Sequence, residues 1–330
     1  MRKYTFILLL FIIPQLINAQ QGPLYSQYMF NKFLINPAVA GANGYTSVNM
    51  VARNQYTGFV NAPRTFAFTG QTRLLDDSYI IKKLQVKKNP KKATRDERVG
   101  LGANIYSDRN GIVSKTGLEI TYAYHLNFDN NYQFSFGISG SGFQYKLDDT
   151  DTYIYNPDDP VLNSNRKSFW VPDAAIGAYF SNNRLYAGLS MNELFGSALK
   201  LGDSHIKDNF RTVRSVNLLT GYRFNYDNGI TFEPSLLLRA ARMSTNLDLT
   251  ARLLYQKDYW LGFSYRTDKT LVTMIGLSVQ VFYFGYAYDS SFREVRNYTS
   301  GSHEIMMGVR FGDSSSRRFR WIKQDQINYD

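Results

Sequence analysis

From Gly117 to Phe128 the apolar side chains occupy every second residue. Leu118, Ile120, Tyr122, Tyr124, Leu126 and Phe128 fall on one face, and Glu119, Thr121, Ala123, His125 and Asn127 on the other. A period of two is the signature of a β-strand with two unlike faces. Thr245 to Gln256 repeats it, with Leu247, Leu249, Ala251, Leu253 and Tyr255 opposite Asn246, Asp248, Thr250, Arg252 and Gln256, Leu254 being the one exception. Tyr132 to Ile138 and Ile230 to Ala240 follow the same rule less cleanly. No stretch sustains a 3.6-residue period, so the chain reads as all-β. Strands are expected near 47–54, 65–74, 98–107, 117–128, 132–146, 172–180, 184–191, 213–224, 230–240, 245–256, 259–266, 270–278, 280–288 and 301–311. That is about 14 strands, with the boundary near Val279 the least marked, because no turn residue stands there.

Composition changes what those strands mean. Aromatic residues make up 15% of the 330 residues, as 25 Tyr and 23 Phe against 3 Trp, and the chain has 24 Gly, many of them within the strands. Mean hydropathy is −0.34. After the N-terminus no run approaches the roughly 20 apolar residues that a spanning helix needs. Strands that put apolar and aromatic residues on one face and small or polar ones on the other form either a soluble sandwich or an antiparallel outer-membrane β-barrel, whose two faces average to an ordinary hydropathy; the aromatic share, the strand glycines and the connection lengths favour the barrel. Glycines within strands (Gly137, Gly140, Gly142, Gly177, Gly188, Gly262, Gly285) suit a sheet that must bend to close.

The N-terminus fits that destination. Arg2 and Lys3 precede the apolar stretch Tyr4 to Ile17, which is too short to span as a helix and reads as a secretory signal peptide. Cleavage is expected after Ala19, although Ile17 is bulky for the −3 position. The expected organisation is a signal peptide over 1–19, a plug or lead-in segment over 20–46, a transmembrane barrel over 47–311 and a periplasmic tail over 312–330. The formal charge of +11 becomes +9 once Arg2 and Lys3 are gone.

With both chain ends in the periplasm, the connections after even-numbered strands face inward. Most are short and rich in Asn and Asp: Asp129 to Asn131, Ser181 to Asn183, Asn225 to Gly229, and Lys257-Asp258. Leu147 to Val171 and Asn192 to Thr212 are long and face outward, as in such barrels. Asp76 to Glu97 breaks the rule, being long, inward and basic, with Lys82, Lys83, Lys87, Lys88, Lys91, Lys92 and Arg95. As a charge run it is either a solvated loop or a docking surface for an acidic periplasmic partner. Arg317, Arg318 and Arg320 in the tail are a second candidate of the same kind. Nucleic acid is not expected as a partner in that compartment; outer-membrane lipid is.

Chemistry is sparse. There is no Cys, which removes disulfides, thiolate metal sites and Cys nucleophiles. The three His, at 125, 205 and 303, are far apart in sequence. His125 is expected to point into the lumen, His205 to lie in an external loop, and His303 to share the lipid-facing parity of Ile305 and Met307. Ser302-His303-Glu304 cannot form a triad, because neighbours on a strand point to opposite faces. The acidic loop with Asp148, Asp149, Asp151, Asp158 and Asp159 lacks the Gly and spacing of an EF-hand. No phosphate-cradling loop is present. No catalytic residue, metal site or cofactor is expected. Glu119, Asp248 and Arg252 are expected to be ordinary polar fill of the lumen.

The ends of the mature chain carry a resemblance. Pro23 to Gly41 reads PLYSQYMFNKFLINPAVAG, followed by Arg53-Asn54-Gln55-Tyr56, Gly58-Phe59 and Ala62-Pro63-Arg64-Thr65. Near the other end stand Tyr286-Ala287-Tyr288-Asp289 and Gly301-Ser302-His303-Glu304-Ile305. These ordered motifs resemble those of the PorP/SprF family of Bacteroidetes outer-membrane proteins. Departures are Tyr56, where Trp is common, and the tail beyond 311, where many members stop sooner. The resemblance implies a non-enzymatic component of, or accessory to, the type IX secretion system, assisting secretion or cell-surface attachment of a partner protein such as a gliding adhesin. Its implied partners are the secretion machinery or a large secreted or surface protein. The family-motif residues Ser26, Gln27, Tyr28, Met29, Phe30, Asn31, Asn36, Pro37 and Gly41 lie in a segment aromatic enough to pack into a barrel mouth, with Asn36-Pro37 and Gly41 turning the chain toward the first strand. The alternative is a solute channel or transporter, since a barrel of about 14 strands is wide enough to hold a lumen.

Overall fold

The structure, a computed structural model, describes residues 23–74, 98–128, 132–147, 168–196, 198–199, 210–226, 229–242, 244–256 and 258–311. The signal peptide, the basic connection with Lys82 to Arg95, His205, the acidic loop and the tail with Arg317 to Arg320 lie outside the described residues.

Fourteen antiparallel strands form the wall. They are β1 (Thr46–Asn54), β2 (Arg64–Leu74), β3 (Val99–Asn110), β4 (Val113–Phe128), β5 (Tyr132–Leu147), β6 (Ser168–Ser181), β7 (Leu185–Asn192), β8 (Ser215–Tyr222), β9 (Ile230–Ala241), β10 (Ser244–Tyr255), β11 (Tyr259–Arg266), β12 (Thr270–Val279), β13 (Phe282–Ser291) and β14 (Ser302–Phe311). Each pairs with the next, and β1 pairs with β14 from Thr46↔Phe311 to Asn54↔His303, so the sheet closes on itself. Closure leaves no unpaired edge in the wall, which a bilayer requires because it offers no water to satisfy backbone groups. Phe224–Asn225 adds a two-residue extension against the start of β9, and Ala198–Leu199 pairs with Phe210–Arg211 apart from the wall.

Burial runs inside out. Phe66, Phe68, Ile120, Phe136, Ile138, Phe263 and Ile275 are each about half exposed, while Thr69, Thr121, Ser135, Ser139, Thr250 and Ser264 are buried. A soluble sandwich would bury the first set. Here the apolar rows face outward and the polar rows face the lumen, the arrangement of an outer-membrane barrel. His125 points inward and is fully buried, and His303 lies on the outward parity beside Tyr286 and Tyr288.

All fourteen strands lie where the sequence pattern puts them, with shifted ends. β4 and β5 run to 16 residues each and β6 to 14, more than the 9–11 that cross a bilayer, so this part of the wall projects on the outer side. Their outer ends, such as Val113-Ser114-Lys115-Thr116, lose the two-face contrast because both faces there leave the hydrocarbon. The turn near Val279 is Gln280-Val281, with Gln280 at φ 55°.

The first described residues lie at the outer end of the lumen, where Leu24 sits beside Tyr56, Thr299 and Gly301; only the Phe311 end of the described chain is at the inner rim. Residues 23–45 therefore run down the inside of the barrel before turning into β1. The strand glycines also divide by face. Gly140 and Gly142 have open space around them, whereas a Cβ on Gly137 would stand 2.4 Å from Ala38 N, and one on Gly177 would stand 2.0 Å from Asn36 Oδ1. Those two positions admit the inner segment's atoms against the wall.

Candidate functional site

The inner segment is held at three levels. At the outer level, Glu304 accepts from two consecutive backbone amides, Ser26 N to Oε2 at 2.7 Å and Gln27 N to Oε1 at 2.8 Å. Ser26 Oγ donates to the Asp289 carboxylate at 2.9 Å. Arg53 bridges both acids, Nη2 to Asp289 at 2.7 Å and Nη1 to Glu304 at 3.1 Å, and also donates to Ser26 Oγ. The network continues through Arg266, 3.6 Å from Asp289 and 3.0 Å from Asp248, to Arg239, 2.7 Å from Asp248. Three guanidinium groups and three carboxylates thus alternate across the lumen, balanced in charge and, Arg239 apart, buried. Buried ions hold only when paired and hydrogen-bonded in this way.

At the middle level, Phe30 packs against Trp260, ring centroids 4.4 Å apart, and under the Arg252 guanidinium at 4.4 Å. Arg252 in turn pairs with Glu233 at 2.9 Å, which also receives Arg223 and the Tyr186 hydroxyl at 2.9 Å each. Lys32 Nζ stands 3.8 Å over the Tyr186 ring. Tyr28 reaches Ser235 at 3.3 Å and Thr250 at 3.2 Å. Asn31 Nδ2 donates to Thr69 at 2.8 Å.

At the inner level, Asn36 caps the short 3₁₀ turn Pro37–Val39. Its Oδ1 accepts from Ala38 N at 2.9 Å, and Pro37 fills the first helical position, where no N–H is needed. The Asn36 amide also donates to Ala178 O at 3.0 Å and Leu189 O at 3.3 Å on β6 and β7. His125 Nε2 donates to Ala40 O at 2.9 Å, and its Nδ1 shares a hydrogen bond with the Ser135 hydroxyl at 2.7 Å. Gly41 takes φ 71°, its N–H donating to Gln71 at 3.2 Å, and Gly44 at φ 76° leads into β1.

Outside the lumen, the 55–63 connection is tied to the 292–301 connection. Thr57 N donates to Gly301 O and Ser300 N to Thr57 O, both at 2.8 Å. This joined surface exposes Phe59, Val60 and Tyr298, Val60 by 86%.

Residues 17–309 match the family model described as type IX secretion system membrane protein PorP/SprF. The chain belongs to the PorP/SprF family. It is therefore an outer-membrane β-barrel of the type IX secretion system, from a non-enzymatic family. No curated protein matches the sequence. Among solved structures, the chain is similar to the Acinetobacter baumannii outer membrane protein Omp33, at 9% identity and a TM-score of 0.45 over 81% of this chain and 98% of that one. It is also similar to the CymD monoaromatic hydrocarbon channel, at 10% and 0.44 over 90% and 94%. The Ralstonia pickettii toluene transporter TbuX gives 10% and 0.41 over 84% and 91%.

The PorP/SprF motif residues quoted from the sequence meet in space. Ser26 and Gln27 from the first motif, Arg53 from the second, Asp289 from the Tyr-Ala-Tyr-Asp motif and Glu304 from the Gly-Ser-His-Glu-Ile motif form one bonded cluster. Tyr28, Met29, Phe30, Asn31, Asn36, Pro37 and Gly41 follow inside the same lumen. Arg53, Asp289, Glu304, Arg266 and Arg239 were not singled out as site residues by sequence. The available signal was parity, since each is a charge on the lumen-facing row of its strand. Asp248 and Arg252, expected to be fill, are members of the two ion clusters, and Glu119 lies higher in the lumen, apart from both.

Proposed function

We propose that this PorP/SprF barrel assists secretion or cell-surface attachment of a partner protein, such as a gliding adhesin, by docking it rather than by conducting solutes. The observation that carries the reading is the inner segment, residues 23–45, bonded to the wall at three levels of the lumen. Under this reading it is a plug. A transporter would need that segment to leave, breaking the contacts of Ser26 and Gln27 with a charge-balanced buried network. The tied outer connections with Phe59, Val60 and Tyr298 support contact with a protein on the outside. The basic connection with Lys82, Lys83, Lys87, Lys88, Lys91, Lys92 and Arg95, and the tail with Arg317, Arg318 and Arg320, are proposed to contact the machinery on the periplasmic side. Signal-peptide cleavage after Ala19 belongs to the same proposal and predicts a mature N-terminus at Gln20.

The test is crosslinked pull-down from outer membranes combined with planar-bilayer recording of the purified barrel. Co-purification of a large exported protein or of machinery subunits, with no open pore, is expected. A steady open conductance with no protein partner would overturn the reading in favour of a channel.

A further inference from the structure

Beside the segment, the lumen holds a cavity of about 170 Å³. One side of it is the segment itself, with Leu24, Tyr25, Phe33 and Leu34, and the barrel wall around it includes Tyr106 and Phe143. One water needs about 10–15 Å³ on this measure, so the space suits a ligand of roughly a dozen heavy atoms.

Its charges do not balance. Glu119, Asp173 and Glu193 face Lys115 and Arg239. Arg239 is committed to Asp248 at 2.7 Å, and Lys115 to Glu193 at 2.9 Å. Among the described residues, Glu119 and Asp173 have no ion-pair partner. Asp173 is 4% exposed, and its Oδ1 accepts the Ala174 and Phe195 amides at 2.7 and 3.2 Å. Its Oδ2 is buried with no hydrogen-bond partner among the described residues, as is the Oδ1 of Asn104 in the same wall. An orphaned carboxylate oxygen beside a cavity calls for a donor. The pocket already shows how a cation sits there, for Lys115 Nζ stands 4.1 Å over the Phe143 ring. A metal ion fits less well, because among the described residues no three His, Asp or Glu converge to hold one.

We propose that this pocket binds an ammonium or guanidinium group on a short aliphatic stem, the carboxylates of Glu119 and Asp173 drawing the head and the stem lying against Tyr106, Leu24 and Leu34. A lysine or arginine side chain and a free alkylamine share that chemistry. The protein-borne source rests on the docking role proposed above; the pocket chemistry stands without it.

The full-length purified barrel would be titrated calorimetrically with three probes: pentylammonium, the blocked tripeptide acetyl-Gly-Lys-Gly-amide, and its norleucine counterpart. The lysine peptide and pentylammonium are expected to bind and the norleucine peptide not. Tighter binding of the peptide assigns the protein source, and tighter binding of pentylammonium assigns the free amine. The E119Q/D173N variant keeps side-chain volume and is expected to weaken binding about tenfold or more, the loss of charge-assisted hydrogen bonds. Its fold is checked by heat-dependent migration in gels. Equal binding of the norleucine peptide, unchanged affinity in E119Q/D173N, or no binding of either cation overturns the pocket. If the cations bind normally but the barrel captures no exported protein, the docking role fails and the pocket survives.

Discussion

At the scale of single residues, the barrel has no room for a Cβ at the wall glycines against which the inner segment packs. Gly137→Ala puts a Cβ against the backbone at Pro37 and Ala38, whereas Gly140→Ala, three residues along the same strand, meets open space. Gly137→Ala is expected to destabilise the seated segment by about 1–3 kcal/mol, and Gly140→Ala to do little. Protease cleavage of the segment in the folded barrel reads the difference. Glu304→Gln leaves Arg53 and Asp289 in place but removes one of three buried negative charges. Breaking a buried pair costs on the order of 3–5 kcal/mol, so this variant is expected to unfold at a clearly lower temperature in heat-migration gels. Neither effect was legible in the sequence. Gly137 and Gly140 look alike in a strand, and Arg53 lies 251 residues from Glu304, so their contact depends on closure. The parity that put them on the lumen face was legible, and it also placed His125 correctly.

At the scale of elements, the strands were readable because the bilayer forces each to carry one apolar and one polar row. Where that force stops, the reading stops. The outer ends of β4, β5 and β6 rise past the hydrocarbon and lose the alternation, and Gln280-Val281 turns with a left-handed Gln that composition does not announce. The inner segment was recognisable as a motif and an aromatic cluster, but its path from the outer end to the inner end was not, since its partners lie on strands all around the wall. Deleting residues 23–44 is expected to convert a closed barrel into one with a steady conductance in planar bilayers. A deletion variant that folds, by gel migration, yet conducts no more than the intact protein would show that the segment does not occlude the lumen.

At the scale of the whole molecule, sidedness follows from strand order and is open to direct measurement, because the protein has no Cys. Val60→Cys, on the exposed 55–63 connection, is expected to react with a membrane-impermeant maleimide on intact cells. Val281→Cys, exposed at the opposite rim, is expected to react only after permeabilisation. The reverse pattern would invert the barrel and place the cation pocket in the periplasm. The closing seam has a consequence for assembly. Arg53 and Glu304 are opposite one another in the β1–β14 register, and Glu304 also holds the Ser26 and Gln27 amides at the outer end of the inner segment. A slip of one residue would swing one of these charges toward lipid. The last strand to be synthesised thus meets a checkpoint written near the start of the chain: the barrel zips shut in one alignment only, and in the same event ties down the segment it encloses.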